Sequence, residues 1–373
     1  MPGLYIHIPF CARKCPYCDY YSVTTGNGMD PAHFLNDLDM ELRHAPDDFL
    51  PDTIFIGGGT PTELSVRDLE YLMEILRSNV DLSAVGEWTC ESNPGTLTPE
   101  KASVLRDAGV NRISLGAQSF DENNLNFLGR IHSPGDIETG YRILRNAGFT
   151  NINLDLIYGI PGSAPDRTQR DVETALSLGP EHLACYHLTF EPDTPLTRMR
   201  DQGLVREVNE EESFRQYHMI RQMAREAGYV HYEISNFALP DRESRHNLLY
   251  WGNGEYLGFG PAAHSHWRGA RWGHIRNLTQ YSRAIRTGGS IRAFTEQLDT
   301  EAKARETLVM WLRRIDGVPR EEFLRQTGYD YRVLCGSQID TLTEDGLLSE
   351  HNNRLALTGN GLFVSDRIFS ELL

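Results

Sequence analysis

The chain lacks an excess of positive charge: 36 Lys and Arg stand against 52 Asp and Glu, a formal net charge of −16 over 373 residues. That balance excludes nucleic acid as the main partner, because phosphate contact needs a basic surface. No apolar run approaches the ~20 residues that span a bilayer. The first residues also lack the basic start and apolar follow-on of a secretory leader. Contact with a membrane would therefore be peripheral at most. Six cysteines in a chain this long do not make a disulfide framework. Cys90, Cys185 and Cys335 are scattered and read as small buried apolar residues, and free thiols imply a reducing compartment. Together these absences describe a soluble cytoplasmic protein. Hydrophobic residues at 40% are enough for one large domain and a smaller one.

What is present is concentrated near the start. Cys11, Cys15 and Cys18 form a C-x3-C-x2-C loop directly after the short apolar run Leu4–Ile8. A closed structural zinc site wants four protein ligands. A cubane iron–sulfur cluster held by three thiolates leaves one iron open to an exchangeable ligand. Zinc, or three unrelated thiols, are the plainer readings of the same loop.

Downstream the chain has a regular rhythm. Apolar runs at Thr53–Ile56, Glu87–Glu91, Arg112–Ala117, Ile152–Tyr158 and His182–Leu188 alternate with helical patterns at Pro31–Arg43, Ser65–Ser78, Pro99–Ala108, Asp136–Ala147, Thr168–Leu178 and Glu210–Ala227. Most of these helices stop at a glycine. The alternation predicts βαβ units around a parallel sheet, hence an α/β fold with residues 1–230 as its main domain. Residues 231–299 are rich in Gly, His and aromatics with weak periodicity and read as a connecting region. From 300 to 373 the pattern is helical, at Thr307–Arg314, Pro319–Thr327, Tyr331–Asp345 and Asn360–Leu372. A hairpin near Asn352-Asn353 completes an α+β, winged-helix-like unit.

Several polar residues fall where ligands gather. Gly57, Gly58, Gly59 and Thr60 follow a strand, and glycines let a backbone approach a ligand closely; a plain turn would look the same. Glu91 and Gln118 stand at strand tips, where a barrel opens, although Glu91 also suits a helix cap. Asp155 lies inside an apolar strand, which is costly unless the carboxylate is paired. Arg130 has the fork shape that binds carboxylates, or is a surface arginine. Tyr5 and Tyr17 flank the cysteine loop and could equally be packing. His246, Tyr250 and Trp251 combine an imidazole with flat apolar surface, and the plainer reading is a structural loop. His264 and His266 are further imidazoles close by.

The C-x3-C-x2-C loop, with GGGTP at Gly57–Pro61, resembles the radical-SAM superfamily. The resemblance implies an open, partial (βα)6 TIM-like barrel with the cysteine loop at its C-terminal rim. It implies a 4Fe–4S cluster on Cys11, Cys15 and Cys18, with S-adenosylmethionine (SAM) on the open iron. By the same resemblance Gly58, Gly59 and Thr60 cradle the methionine amino group, Glu91 contacts SAM and Arg130 meets its carboxylate. Gln118 bonds a ribose hydroxyl, and Asp155 lies at the ribose or the sulfonium. Tyr5 falls near the methionyl end and Tyr17 near the adenine.

From Tyr5 to about Tyr250 the chain is similar to the oxygen-independent coproporphyrinogen III dehydrogenases and their relatives. It departs from the dehydrogenases in having Tyr20 where they carry a further cysteine, and in starting its first strand at residue 3, without their N-terminal extension. Arg245–Trp251 contains HNxxYW, which resembles the signature of the HemW-type haem chaperones. That resemblance implies haem as cargo, with His246, Tyr250 and Trp251 as contacts and His264 or His266 as rival ligands. It also implies a haem-accepting protein such as a respiratory enzyme, and an electron donor to the cluster. No C-x-x-C-H motif is present, so a cytochrome-c-type linkage is excluded. Coproporphyrinogen dehydrogenation, or another radical-SAM reaction on a tetrapyrrole, is the alternative reading.

Overall fold

Short β-rich runs, each followed by a capped helix, build the centre of the molecule. In a computed structural model that describes every residue except Asn27 and Ala164, six strands lie side by side and parallel. They are β1 (Gly3–Ile8), β2 (Thr53–Gly58), β3 (Glu87–Ser92), β4 (Arg112–Gln118), β5 (Ile152–Tyr158) and β6 (His182–His187). The helices between them start and stop on local chemistry. Ser65 caps Val66–Asn79, and Thr98 caps Pro99–Ala108, which ends at the left-handed Gly109. Ser133 and Asp136 form a capping box at the head of Pro134–Asn146.

Alternation along each strand decides what faces where. Leu4, Ile6 and Ile8, with Ile54 and Ile56, are fully buried in the apolar core. Each such side chain contributes about 1.5–3 kcal/mol by leaving water. The intervening positions, Tyr5 and His7 on β1 and Phe55 on β2, point the other way, into the lumen, where Tyr5 contacts both His7 and Phe55. The expected partial barrel of six βα units is the observed one.

The sheet does not stop there. β7 (Val230–Glu233) and β8 (Asn236–Ala238) extend it beyond β6. On the other side β9 (Tyr256–Phe259) pairs parallel with β1. β10 (His264–Trp267), β11 (Ala270–His274) and β12 (Arg292–Glu296) follow as an antiparallel meander. The order of the 12-stranded sheet is β12-β11-β10-β9-β1-β2-β3-β4-β5-β6-β8-β7. This corrects the reading of residues 231–299 as a connecting region, since they supply half the strands of the main sheet. Their alternating, partly exposed sequence hid them from a search for apolar runs.

The last part of the chain carries the helices Thr300–Leu312, Arg320–Thr327 and Tyr331–Glu344. It also carries a three-stranded sheet of β13 (Val318–Pro319), β14 (Leu348–His351) and β15 (Arg354–Leu357). The first helix begins at Thr300 rather than Thr307, because Asp299 caps it. The expected single helix from Asn360 to Leu372 is two, Gly359–Phe363 and Ser365–Leu372, broken at Val364 (φ −107, ψ 26). Among the described residues no helix is long and apolar enough to cross a membrane.

Candidate functional site

The loop after β1 carries the three cysteines at the C-terminal rim, all three half-buried and free. Phe10–Cys11 pairs with Val23–Thr24 and closes the loop at its base. The Thr60 hydroxyl faces Cys11 Sγ at 3.7 Å, and the Arg130 Nη1 faces Cys15 Sγ at 3.6 Å. Burial pushes the Cys18 thiol up to about 11 and raises Cys11 as well, so loading a metal there releases protons. Among the described residues no three His, Cys, Asp or Glu side chains gather as ligands of a single ion. A cubane binds each thiolate to a different iron, so three protein thiolates hold it and leave its fourth iron open.

A connected polar set lines the rim beside this loop. Asn93 Nδ2 donates to Thr60 Oγ1 at 2.7 Å, while its carbonyl accepts from Arg130 Nη2. The same Nη2 donates to Gly116 O at 3.0 Å. A Cβ on Gly116 would lie 2.9 Å from Asn93 Oδ1, so β4 must be bare there for the arginine to pass. Gln118, with φ 67, sits at a bulge in β4, which turns its side chain toward the same place. The GGG turn answers Glu91: Gly58 N donates to Glu91 Oε2 at 3.1 Å, and a Cβ on Gly57 would stand 2.6 Å from that oxygen.

Two carboxylates face the lumen below. Burial and the nearby Asp155 push Glu91 up to about 8. Burial lifts Asp155 to about 6, against bonds from Asn153 (2.7 Å) and Ser114 (3.1 Å). A cation bound between these carboxyls would favour their ionised forms and lower both values. Tyr5 shares a 3.0 Å bond with His7 Nδ1. Tyr17 packs against the apolar cluster of Leu128, Ile157, Ile160, Leu188 and Leu196. The structure thus brings Cys11, Cys15, Thr60, Gly58, Gly59, Glu91, Gln118, Arg130 and Asp155 to one end of one barrel.

Sequence reasoning missed Asn93, which ties Thr60 to Arg130; its only signal was its place two residues after Glu91. It also passed over Tyr20 as a lumen residue. Tyr20 is 69% exposed to solvent, yet burial of its hydroxyl, with Glu91 as the strongest charge acting on it, pushes its phenol up to about 12.

The HNxxYW residues lie elsewhere. The helix Arg245–Trp251 closes the opposite, N-terminal end of the barrel. The Glu87 carboxylate accepts from the backbone N–H groups of Arg245 (2.9 Å) and His246 (3.0 Å). His246 is 1% exposed, its Nδ1 is bonded to the Thr53 hydroxyl at 2.8 Å, and its ring rests on Phe55. Burial holds its imidazole neutral, with the pKa lowered to about 3. Tyr250 stacks edge-on between His246 and Tyr256, and Trp251 lies under Arg313. The motif plugs the floor of the barrel, because β1, β2 and β3 supply its partners. Replacing Glu87 by Ala should leave the buried His246 amide and the half-buried Arg245 amide unpaired and cost about 1–3 kcal/mol. A lowered denaturant midpoint, partly restored in Glu87→Gln, checks it.

His264 and His266 occupy β10, one strand beyond β9. His266 is buried, bonded to Gly254 O at 2.9 Å and to Lys303 Nζ at 2.8 Å. His264 is exposed.

The similarities agree with this geometry. Residues 5–175 match the Radical SAM superfamily, and residues 298–364 match the HemN C-terminal domain. The solved coproporphyrinogen III oxidase HemN from Escherichia coli has the same fold, with a TM-score of 0.86 at 23% identity over 100% of this chain and 90% of that one. A rim loop of three free cysteines on a (βα)6 barrel of that kind defines a radical-SAM protein, and that family implies a 4Fe–4S cluster and SAM. Among curated relatives, the heme chaperone HemW of Bacillus subtilis is 35% identical over 100% of this chain and 99% of its own length. The heme chaperone HemW of Escherichia coli is 37% identical over 97% and 96%. The chain belongs to the HemW family of the radical-SAM superfamily.

Proposed function

We propose that this protein is a haem chaperone: it binds haem and passes it to an acceptor protein such as a respiratory enzyme. The observation that carries the reading is the full-length similarity to proteins of that name. In this reading Cys11, Cys15 and Cys18 hold the 4Fe–4S cluster, which, once reduced by an electron donor, supplies one-electron chemistry to SAM.

The chain's own residues prepare the seat. Arg130, fixed by Asn93 and Gly116, offers a guanidinium to a carboxylate. Gly58, Gly59 and Thr60 leave room for an amino group, which Glu91 faces. Gln118 and Asp155 are placed for a ribose, and Tyr5 and Tyr17 bound the two ends of the cofactor. The structural unit of residues 300–373 would cover or dock the cargo.

Hemin titration of the anaerobically reconstituted protein tests the reading. A saturable shift of the Soret band is expected, followed by its loss when haem-free acceptor is added. No Soret shift, or protoporphyrinogen formed at catalytic rates from coproporphyrinogen, would overturn it.

A further inference from the structure

We infer that the exposed side of the cysteine loop, with Arg13, Lys14 and the neighbouring Ile131, is a docking surface for an acidic protein that carries one electron at a time. The surface rests on the reading of Cys11, Cys15 and Cys18 as cluster ligands, and gives the electron donor its chemistry and its landing place.

Charge singles out the loop. The chain carries a formal net charge of −16, yet Phe10–Cys18 holds two cations, Arg13 and Lys14, and no carboxylate. Both are exposed, and among the described residues neither forms an ion pair. A cation that served only to balance the thiolates would turn inward, as Arg130 does with its Nη1 3.6 Å from Cys15 Sγ. The next acid along the chain, Asp19, faces Arg276 at 3.8 Å. A protein this acidic repels an acidic partner over most of its surface, so a local basic spot decides where one can land.

An apolar contact stands beside the cations. Ile131 is 59% exposed and lines a notch at the rim with Ala12, Arg13 and Cys15. The segment that carries it is held in place from both sides. His132 Nε2 is bonded to Ala117 O at 3.1 Å, and a Cβ on Gly129 would stand 2.6 Å from Pro16 Cδ. Pro16 O in turn accepts from Leu196 N at 2.9 Å. Ile131 and the two cations therefore form one fixed patch. Apolar surface with charge at its margin is the make-up of a protein contact.

Position supplies the rest. In the proposed reading SAM fills the lumen, so a donor must reach the cluster from the solvent side of its loop. Lys14 is covalently joined to Cys15, and Arg13 shares the notch with it, so the path from the patch to a ligating sulfur is short. One electron leaves the partner's reduced flavin or iron–sulfur centre and enters the oxidised cluster; no atom or proton moves.

Stopped-flow reduction of the reconstituted full-length protein tests this. The donors are a small acidic flavoprotein, photoreduced to its hydroquinone, and reduced methyl viologen, a small cation that needs no docking surface. In wild type the second-order rate with the flavoprotein should fall about tenfold between about 20 and 200 mM salt. The double variant Arg13→Glu, Lys14→Glu should react about tenfold more slowly at low salt and lose most of that salt dependence. Its calorimetric affinity for the flavoprotein should fall in step. Ile131→Asn, outside the loop, should weaken docking several-fold and keep the salt dependence. Neither variant should react more slowly with methyl viologen, and the EPR signal after dithionite should persist in both. A wild-type rate indifferent to salt overturns the docking surface. So does equal slowing of the double variant with both donors, which would make Arg13 and Lys14 partners of the cluster alone. If dithionite raises no cluster signal in wild type, the cluster reading itself fails.

Discussion

Serine in place of any one of Cys11, Cys15 or Cys18 should abolish cluster assembly. Iron and sulfide in the anaerobically reconstituted protein are expected to fall from about four per chain to near zero. The signal of the dithionite-treated sample should vanish with them. A cube held at three corners has no spare protein ligand, since the other three cysteines, Cys90, Cys185 and Cys335, are buried elsewhere in the fold. The apo fold should not suffer. The three thiols are half-buried on a rim loop and pack no core, so their loss is a surface change, within about 0.5 kcal/mol. Cys90→Ala is the control. It sits in β3 on the core side and should lower stability while leaving the iron content alone. Full iron in Cys15→Ser, or zinc in the wild type, would defeat the assignment.

Affinity for SAM should rise steeply with pH and depend on Glu91. Burial and Asp155 lift its carboxyl to about 8, and a cationic amino group wants the ionised form. Below that value only the ionised fraction is competent, so the apparent Kd should increase about tenfold for each pH unit lost. Glu91→Gln should bind weakly and flatten the profile. The sign for stability is opposite. A carboxyl raised from 4.5 to about 8 by folding contributes stability that is fully present below pH 4.5 and lost as pH rises through 8. The ligand-free protein should therefore soften over the same range in which it binds best. Isothermal titration and urea unfolding at a series of pH values measure the two limbs. A pH-independent Kd in the wild type would rule out this role for the carboxylate.

The six βα units were legible because each strand is a short apolar run between helices with clear stops. The position of the rim residues was legible because a strand's tip is fixed by the length of that run, and Glu91 and Gln118 do lie at the C-terminal ends of their strands. β9 to β12 were not legible. They are strands of four or five residues with His, Gly and Arg in alternation, and their partners lie on β1 or on one another rather than in a local pattern. The fate of His246 was hidden for a related reason. Thr53 and Glu87, which bury it, are about 190 and 160 residues away in sequence, and nothing in HNxxYW announces them.

The pairing of β1 with β9 has a consequence for how the protein is made. β1 is made before its partner and keeps one open edge until Tyr256–Phe259 arrives, about 250 residues later. Contacts so distant in the chain form slowly, and an unpaired edge invites wrong partners meanwhile. Throughout that interval the loop bearing Cys11, Cys15 and Cys18 hangs from an unfinished wall, its thiols bare to oxidants. Insertion of iron is thus an event that follows the making of Tyr256–Phe259, and expression hosts that slow translation between β1 and that strand should yield less of the cluster-loaded form.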